Sequence, residues 1–170
     1  MGVFMTTADV RDVQTAMLWL AGSLHAANWT LVGIAAAWTL PAFALLLLTA
    51  RAADVALMGN PTATGLGVHT SRLALLRVLA PVVLTAACVS CVGSIGFVGL
   101  IAPHMARLLL CGGQTALLAG SAVLGALLVL LADNVGRLAF LPLQLPAGVV
   151  ISLIGGPFFL LLLWQRRDRF

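Results

Sequence analysis

The chain has 170 residues but no lysine, no glutamate and no tyrosine, and only 8% of it is charged. Soluble domains carry charge on roughly a quarter of their residues, so a water-soluble globule is excluded. Without lysine there is no glycine-rich, lysine-ended phosphate loop, so ATP is not expected to be hydrolysed by this chain. Cys88, Cys91 and Cys111 include one CxxC, but it lies in an apolar run with neither a second pair nor a nearby carboxylate. These cysteines read as small apolar residues, and no metal site is expected. No basic patch interleaved with aromatics speaks for nucleic acid. A cleavable leader pattern is also missing, because Asp9, Arg11 and Asp12 precede the first apolar run where a basic head would be needed.

What is present is apolar: 62% of residues are hydrophobic and the mean hydropathy is +1.13. An all-α integral membrane protein is the expected class, a single membrane domain over 1–170 with five transmembrane helices at 29–50, 71–92, 95–110, 114–135 and 146–164. The uncharged run from Trp29 to Ala50, at 1.5 Å per residue, can cross about 30 Å of hydrocarbon. Pro41 within it implies a kink that neighbouring helices can accommodate, and Pro81 is expected close to the start of the second span. Gly112 and Gly113 would end the third helix, and Gly120, Ser121 and Gly125 offer a small-residue contact face on the fourth. Residues 1–5 read as the stub of a preceding helix. Residues 8–24 suit a short amphipathic interfacial helix, with Thr7 as a possible cap and Trp19 as an anchor. His25, just beyond, reads as solvated.

One long polar interval breaks the pattern, from Arg51 to Arg77, with Asp54, Asn60, His69 and Arg72 inside it. Its middle, Leu57 to Val68, has an Asn60-Pro61 turn signal, a short helix and a glycine stop. The segment 52–70, a short helix bracketed by turns, is therefore not itself a span. Arg72 and Arg77 read first as positive-inside anchors.

The stretch Gly93-Ser94-Ile95-Gly96-Phe97-Val98-Gly99-Leu100-Ile101-Ala102-Pro103-His104-Met105-Ala106-Arg107 is unusual in so apolar a chain. Glycines at three-residue spacing would share one helix face and admit a close backbone neighbour. Pro103 would bend or restart the helix, leaving His104 and Arg107 together on one face after it. By spacing alone this is a packing motif that ends in an interfacial anchor.

The stretch also resembles the FVGLIxPHxxR signature of the FecCD-like permease subunits of ABC importers for iron-siderophores, haem and cobalamin. Trp19-Leu20-Ala21-Gly22-Ser23-Leu24 with Trp29 resembles the family's WxxGSLxxxxW, and 57–68 its LxLGxxxAxxLGV coupling segment. Ala132-Asp133 with Arg137, followed by Pro142 to Gly148, resembles ADxxxR and PxxLPxG, with Gln144 where glutamate is common. Gly155 to Phe159 resembles GxPxF. Asn60 replaces a usual acid, and Pro61 departs from the pattern.

The resemblance implies that Leu57, Gly59, Asn60, Ala63, Leu66, Gly67 and Val68 contact a cytoplasmic ABC ATPase subunit that uses the ATP. It makes Gly93, Gly96, Phe97, Gly99, Pro103, His104 and Arg107 signature positions, with His104 and Arg107 as candidates for an inner gate. Asp133, Arg137, Gln144 and Pro146 become candidates on the extracytoplasmic side, near a docked substrate-binding protein. Asp133 and Arg137, four apart with the acid first, can also form a simple local ion pair. An intramembrane enzyme built on His25, His69 and His104 fails on sidedness.

Five spans place seven arginines (51, 72, 77, 107, 166, 167 and 169) on one side and two (11 and 137) on the other. The positive-inside rule then makes the coupling segment and the C-terminus cytoplasmic and the N-terminus outside, in a bacterial cell membrane. The resemblance covers only the second half of a ten-helix subunit. The expected function is a permease component, truncated or half-length, of an ATP-driven importer for iron-siderophore-like chelates. Its expected partners are the ATPase, a second permease subunit, the binding protein and lipid, with no directly bound cofactor. The alternative is a non-transporting scaffold that binds the ATPase or a full-length permease.

Overall fold

The computed structural model describes residues 17, 19–24, 27–138 and 145–167. Among these the chain is all helix and turn, with no strand. Met17, Trp19 and Leu20 are helical and the chain turns at Ala21. The helices that follow are α1 (Trp29–Leu48), α2 (Ala50–Ala56), α3 (Asn60–Gly65), α4 (Thr70–Val92), α5 (Val98–Leu109), α6 (Gln114–Leu138) and α7 (Ala147–Arg167). The stub, Thr7, His25, Gln144 and the last three residues lie outside the described residues.

Among the described residues, α1, α4 and α6 are long and apolar enough to cross a membrane, whereas α5 is shorter. The chain is a membrane protein; α7, at 21 residues, extends over nearly the whole span expected at 146–164, while α5 is short as helix. α5 begins at Val98 and not near Ile95, because the backbone from Gly93 to Phe97 is not helical. Its 12 residues cover about 18 Å, so crossing a bilayer there needs the non-helical stretch as well. Pro103 lies inside α5 and does not start a new helix; Pro81 lies midway along α4, not near its start. The first span stops at Leu48, and after Thr49 the chain continues into α2.

The core is rich in small residues, with Ala50, Ala53, Ala63, Ala102, Ala106 and Ala132 buried beside Leu46, Leu73, Ile101, Val150 and Ile151, while Trp29, Trp38, Leu40 and Val82 are exposed. Apolar side chains turned outward suit lipid, and small ones turned inward let helix backbones approach. α6 does this with glycine. A Cβ at Gly120 would strike Leu110, and one at Gly125 would lie 3.4 Å from Val98 and 3.6 Å from Ala102. The expected small-residue face of 120–125 is thus turned to α5.

The helices fall into two groups. α1 packs on α4, and α5 packs on α6, which also holds α7. α2 touches α1, α4 and α6, and so bridges the groups at one end.

Candidate functional site

The bridged end carries the polar interval. α3 starts where Gly59, at φ 109°, reverses the chain and Pro61 occupies the first turn, a position where its missing N–H costs nothing. It stops at Gly67, at φ 81°, where Val68 N–H donates to Ala63 O at 2.9 Å and Gly67 N–H to Thr64 O at 3.0 Å. That closure with a left-handed glycine is the expected stop. Ala63 is fully buried against the rest of the chain, while Leu57, Met58 and Leu66 are exposed by 66% or more. The interval therefore anchors by its alanine and presents large apolar side chains outward.

Asp54, on α2, reaches across to α6. Its Oδ1 accepts the Gln114 N–H at 3.0 Å and its Oδ2 lies at 3.3 Å. Gly113 precedes that helix and its carbonyl accepts the first intrahelical bond, from Leu117 N–H at 3.2 Å. Gly113 thus stands at the cap position, where serine or aspartate usually satisfies the free amides. Here the cap comes from a residue 60 positions earlier. A Cβ on Gly113 would lie 2.7 Å from Asp54 Oδ2, so the glycine makes room for it. The Gly112-Gly113 pair opens α6, where the sequence suggested it closes the helix before. Nearby on α4, Arg72 is exposed, while the buried Arg77 Nε has no hydrogen-bond partner among the described residues.

The opposite end is tied by backbone. Ser23 N–H donates to Val92 O, and Gly148 N–H to Gly22 O, both at 3.0 Å. A Cβ at Gly93 would run into Trp19 O, one at Gly148 into Ala21 O, and one at Gly22 would lie 2.6 Å from Ser94 O. The turn at 21–24 is thereby held between the end of α4 and the start of α7. Asp133 and Arg137 lie at this end and pair at 2.8 Å. Pro146 accepts from Val149 N–H at 3.0 Å, ahead of α7.

Between the ends lie the signature residues. The expectation of three glycines on one helix face is corrected. Gly93 caps α4 at φ 81°, Gly96 lies in the connection, and only Gly99 is helical. A Cβ at Gly96 or Gly99 would meet nothing within 4 Å, so close packing within this chain is a property of Gly93 alone. Phe97 takes the left-handed conformation, φ 62°, which is strained for a residue with a side chain. Its ring faces α7, where a Cβ on Gly155 would fall 2.5 Å from the Phe97 Cβ. One turn on, His104 meets the edge of Phe158 with centroids 5.9 Å apart. Arg107, three residues on from His104 in the same helix, is exposed in the last turn of α5.

Cys91 lines an apolar cavity of about 420 Å³ between α1 and α4, beside Trp38 and Val83. Among the described residues no group of three or more histidine, cysteine or acidic side chains could hold a metal ion.

The sequence pattern of the FecCD transport family matches residues 1–165. The chain belongs to the FecCD transport family. It is 41% identical, over 89% of its length and 46% of the relative's, to the Fe(3+)-citrate import system permease protein of Bacillus subtilis. To the hemin transport system permease protein of Yersinia pestis it is 36% identical, over 99% of this chain and 50% of the relative. To the cobalamin import system permease protein of Halobacterium salinarum it is 40% identical, over 98% and 44%. A solved ABC transporter, described as of metal-chelate type and inward-facing, matches with a TM-score of 0.83 at 29% identity, covering 96% of this chain and 53% of that one. The chain spans about half the length of the curated relatives it matches.

In this FecCD member the signature stretch is therefore a capped helix end, an extended passage and a new short helix. Gly22, Gly148 and Gly155 join it as positions where geometry forbids a side chain. Their partners are backbone atoms or a ring far away in sequence, so no local pattern announces them.

Proposed function

We propose that this chain is a permease component of an ATP-driven importer for iron-siderophore-like metal chelates, working with a second permease subunit, an extracytoplasmic binding protein and a cytoplasmic ABC ATPase. In this reading the end bearing α2 and α3 is cytoplasmic, the end tied by Gly22, Gly93 and Gly148 faces outward, and the C-terminus is inside. ATP binding in the partner displaces the segment 52–70, and the bundle follows as packed bodies. The observation that carries the reading is the outward display of Leu57, Met58 and Leu66 on either side of a short helix whose Ala63 is fully buried, in a chain matched by the family over residues 1–165. His104 with Phe158, and Phe97 with Gly155, are the contacts through which α5 and α7 would move together, and Arg107 would face the inner water layer.

The test uses the open surface at Gly65, where an added Cβ meets nothing within 4 Å. Gly65→Arg leaves the chain's own packing intact and places a large charge on the docking face. Capture of the transporter's ATPase by the membrane-embedded chain is expected to fall at least about tenfold, the scale on which truncating or blocking a hot spot acts. Equal recovery of ATPase by Gly65→Arg and the native chain would overturn the coupling role. Gly67→Arg is the weaker probe, because φ 81° there strains any side chain. Capture without uptake of an iron(III) chelate by the assembled complex would favour the scaffold reading instead.

A further inference from the structure

The two helix groups meet at the cytoplasmic end through α2, and the contact there is polar and specific. Asp54 satisfies the first amide of α6, a helix whose own cap residue, Gly113, has no side chain. A carboxylate at a helix N-terminus is favoured both as a hydrogen-bond acceptor and as a negative charge against the positive end of the helix dipole. α2 is also packed on α3, the helix that presents Leu66, while α6 is packed on α5 and α7. A push on α3 therefore reaches α6 by way of the Asp54 carboxylate.

We propose that Asp54 is a positioning residue that grips the start of α6 and passes displacement of the α2–α3 segment to the α5–α6–α7 group. The inference rests on the coupling role proposed above for residues 52–70. Asp54 touches neither cargo nor nucleotide in this scheme; it acts through the Gln114 amide. The hydrogen bond needs an acceptor at position 54, a free N–H at position 114 and no Cβ at position 113. Each requirement can be removed separately.

Gln114→Pro removes the donor and fills its place with the ring Cδ, at a first-turn position where proline is well tolerated in a helix. Asp54→Ala deletes the acceptor, and Asp54→Asn keeps an acceptor oxygen while removing the charge. In the assembled complex, Asp54→Ala and Gln114→Pro are each expected to lower chelate transported per ATP hydrolysed about tenfold, within the range that coupling mutations produce. The double variant should be no worse than either single, because both remove one bond. Asp54→Asn should stay within about twofold of the native chain, and ATPase capture should be unchanged in all four. A merely structural Asp54 would lower the amount of folded protein and leave transport per ATP alone. Native transport per ATP in either Asp54→Ala or Gln114→Pro overturns the proposal. If Asp54→Ala does not accumulate, Gln114→Pro, which keeps every side chain of α2, decides it.

Hydrogen exchange at the Gln114 amide, followed in the chain without its ATPase, is expected to quicken in Asp54→Ala and not in Asp54→Asn. Unchanged exchange in Asp54→Ala overturns the grip itself. A native chain that captures no ATPase overturns the proposed function instead, so the two failures are distinguishable.

Discussion

At the scale of single residues, Gly22, Gly93, Gly136 and Gly148 are tight positions that face another stretch of backbone. Gly148 lies at the start of α7, with Ala21 O where its Cβ would be. Gly148→Ala must open that contact and with it the Gly148 N–H to Gly22 O bond of 3.0 Å. The expected cost is about 2–4 kcal/mol, as for other overpacked or bond-breaking core changes, read as a lowered unfolding midpoint in detergent. Gly65→Ala, in open space and within a helix, should be neutral or gain up to about 1 kcal/mol, and serves as the control. The same scale separates what was legible from what was not. Asp133 and Arg137 follow from the four-residue helical spacing alone, and their pair is present at 2.8 Å. At 47% and 19% side-chain exposure it contributes only about 0.3–0.5 kcal/mol. Asp54 could not be read in this way, because its partner is 60 residues away and no helical or turn period connects them.

At the scale of elements, apolar runs set the long helices closely, but the single helix face expected of Gly93, Gly96 and Gly99 is absent. Periodicity gives a common face only if the backbone is helical throughout. Gly93 and Phe97, both at positive φ, interrupt it. Composition cannot announce a phenylalanine in the left-handed region, since that conformation is imposed by tertiary contact with α7 at Gly155. This leads to an order of substitution effects opposite to the usual one. Replacing Phe97 by alanine loses the ring and keeps the strain, whereas glycine loses the ring and relieves it. Phe97→Gly should thus be more stable than Phe97→Ala by about 1–2 kcal/mol, the left-handed penalty of an L residue. Equal midpoints for the two variants would mean the backbone relaxes when the ring is removed. By contrast, the small-residue face of α6 was legible because Gly120 and Gly125 sit in an uninterrupted helix, and they do meet Leu110, Val98 and Ala102.

For the whole molecule, the orientation proposed from the arginine distribution can be tested with a native residue. Cys111 is exposed in the turn between α5 and α6, at the same end as Asp54 and Gln114. With Cys88 and Cys91 replaced by serine, a membrane-impermeant maleimide should label Cys111 in inside-out vesicles and leave it unlabelled in right-side-out ones. The opposite pattern would invert the proposed topology.

The two helix groups are joined at both ends and packed little in between. At one end the ties are backbone bonds around Gly22; at the other, α2 packs on α6 and its Asp54 carboxylate accepts the Gln114 amide. A body fastened to another near two points keeps one soft freedom, rotation about the line through them. In the proposed function the α5–α6–α7 group would hang on an axle that runs across the membrane, with an outer bearing at the backbone ties and an inner bearing carried on the segment that the motor would move.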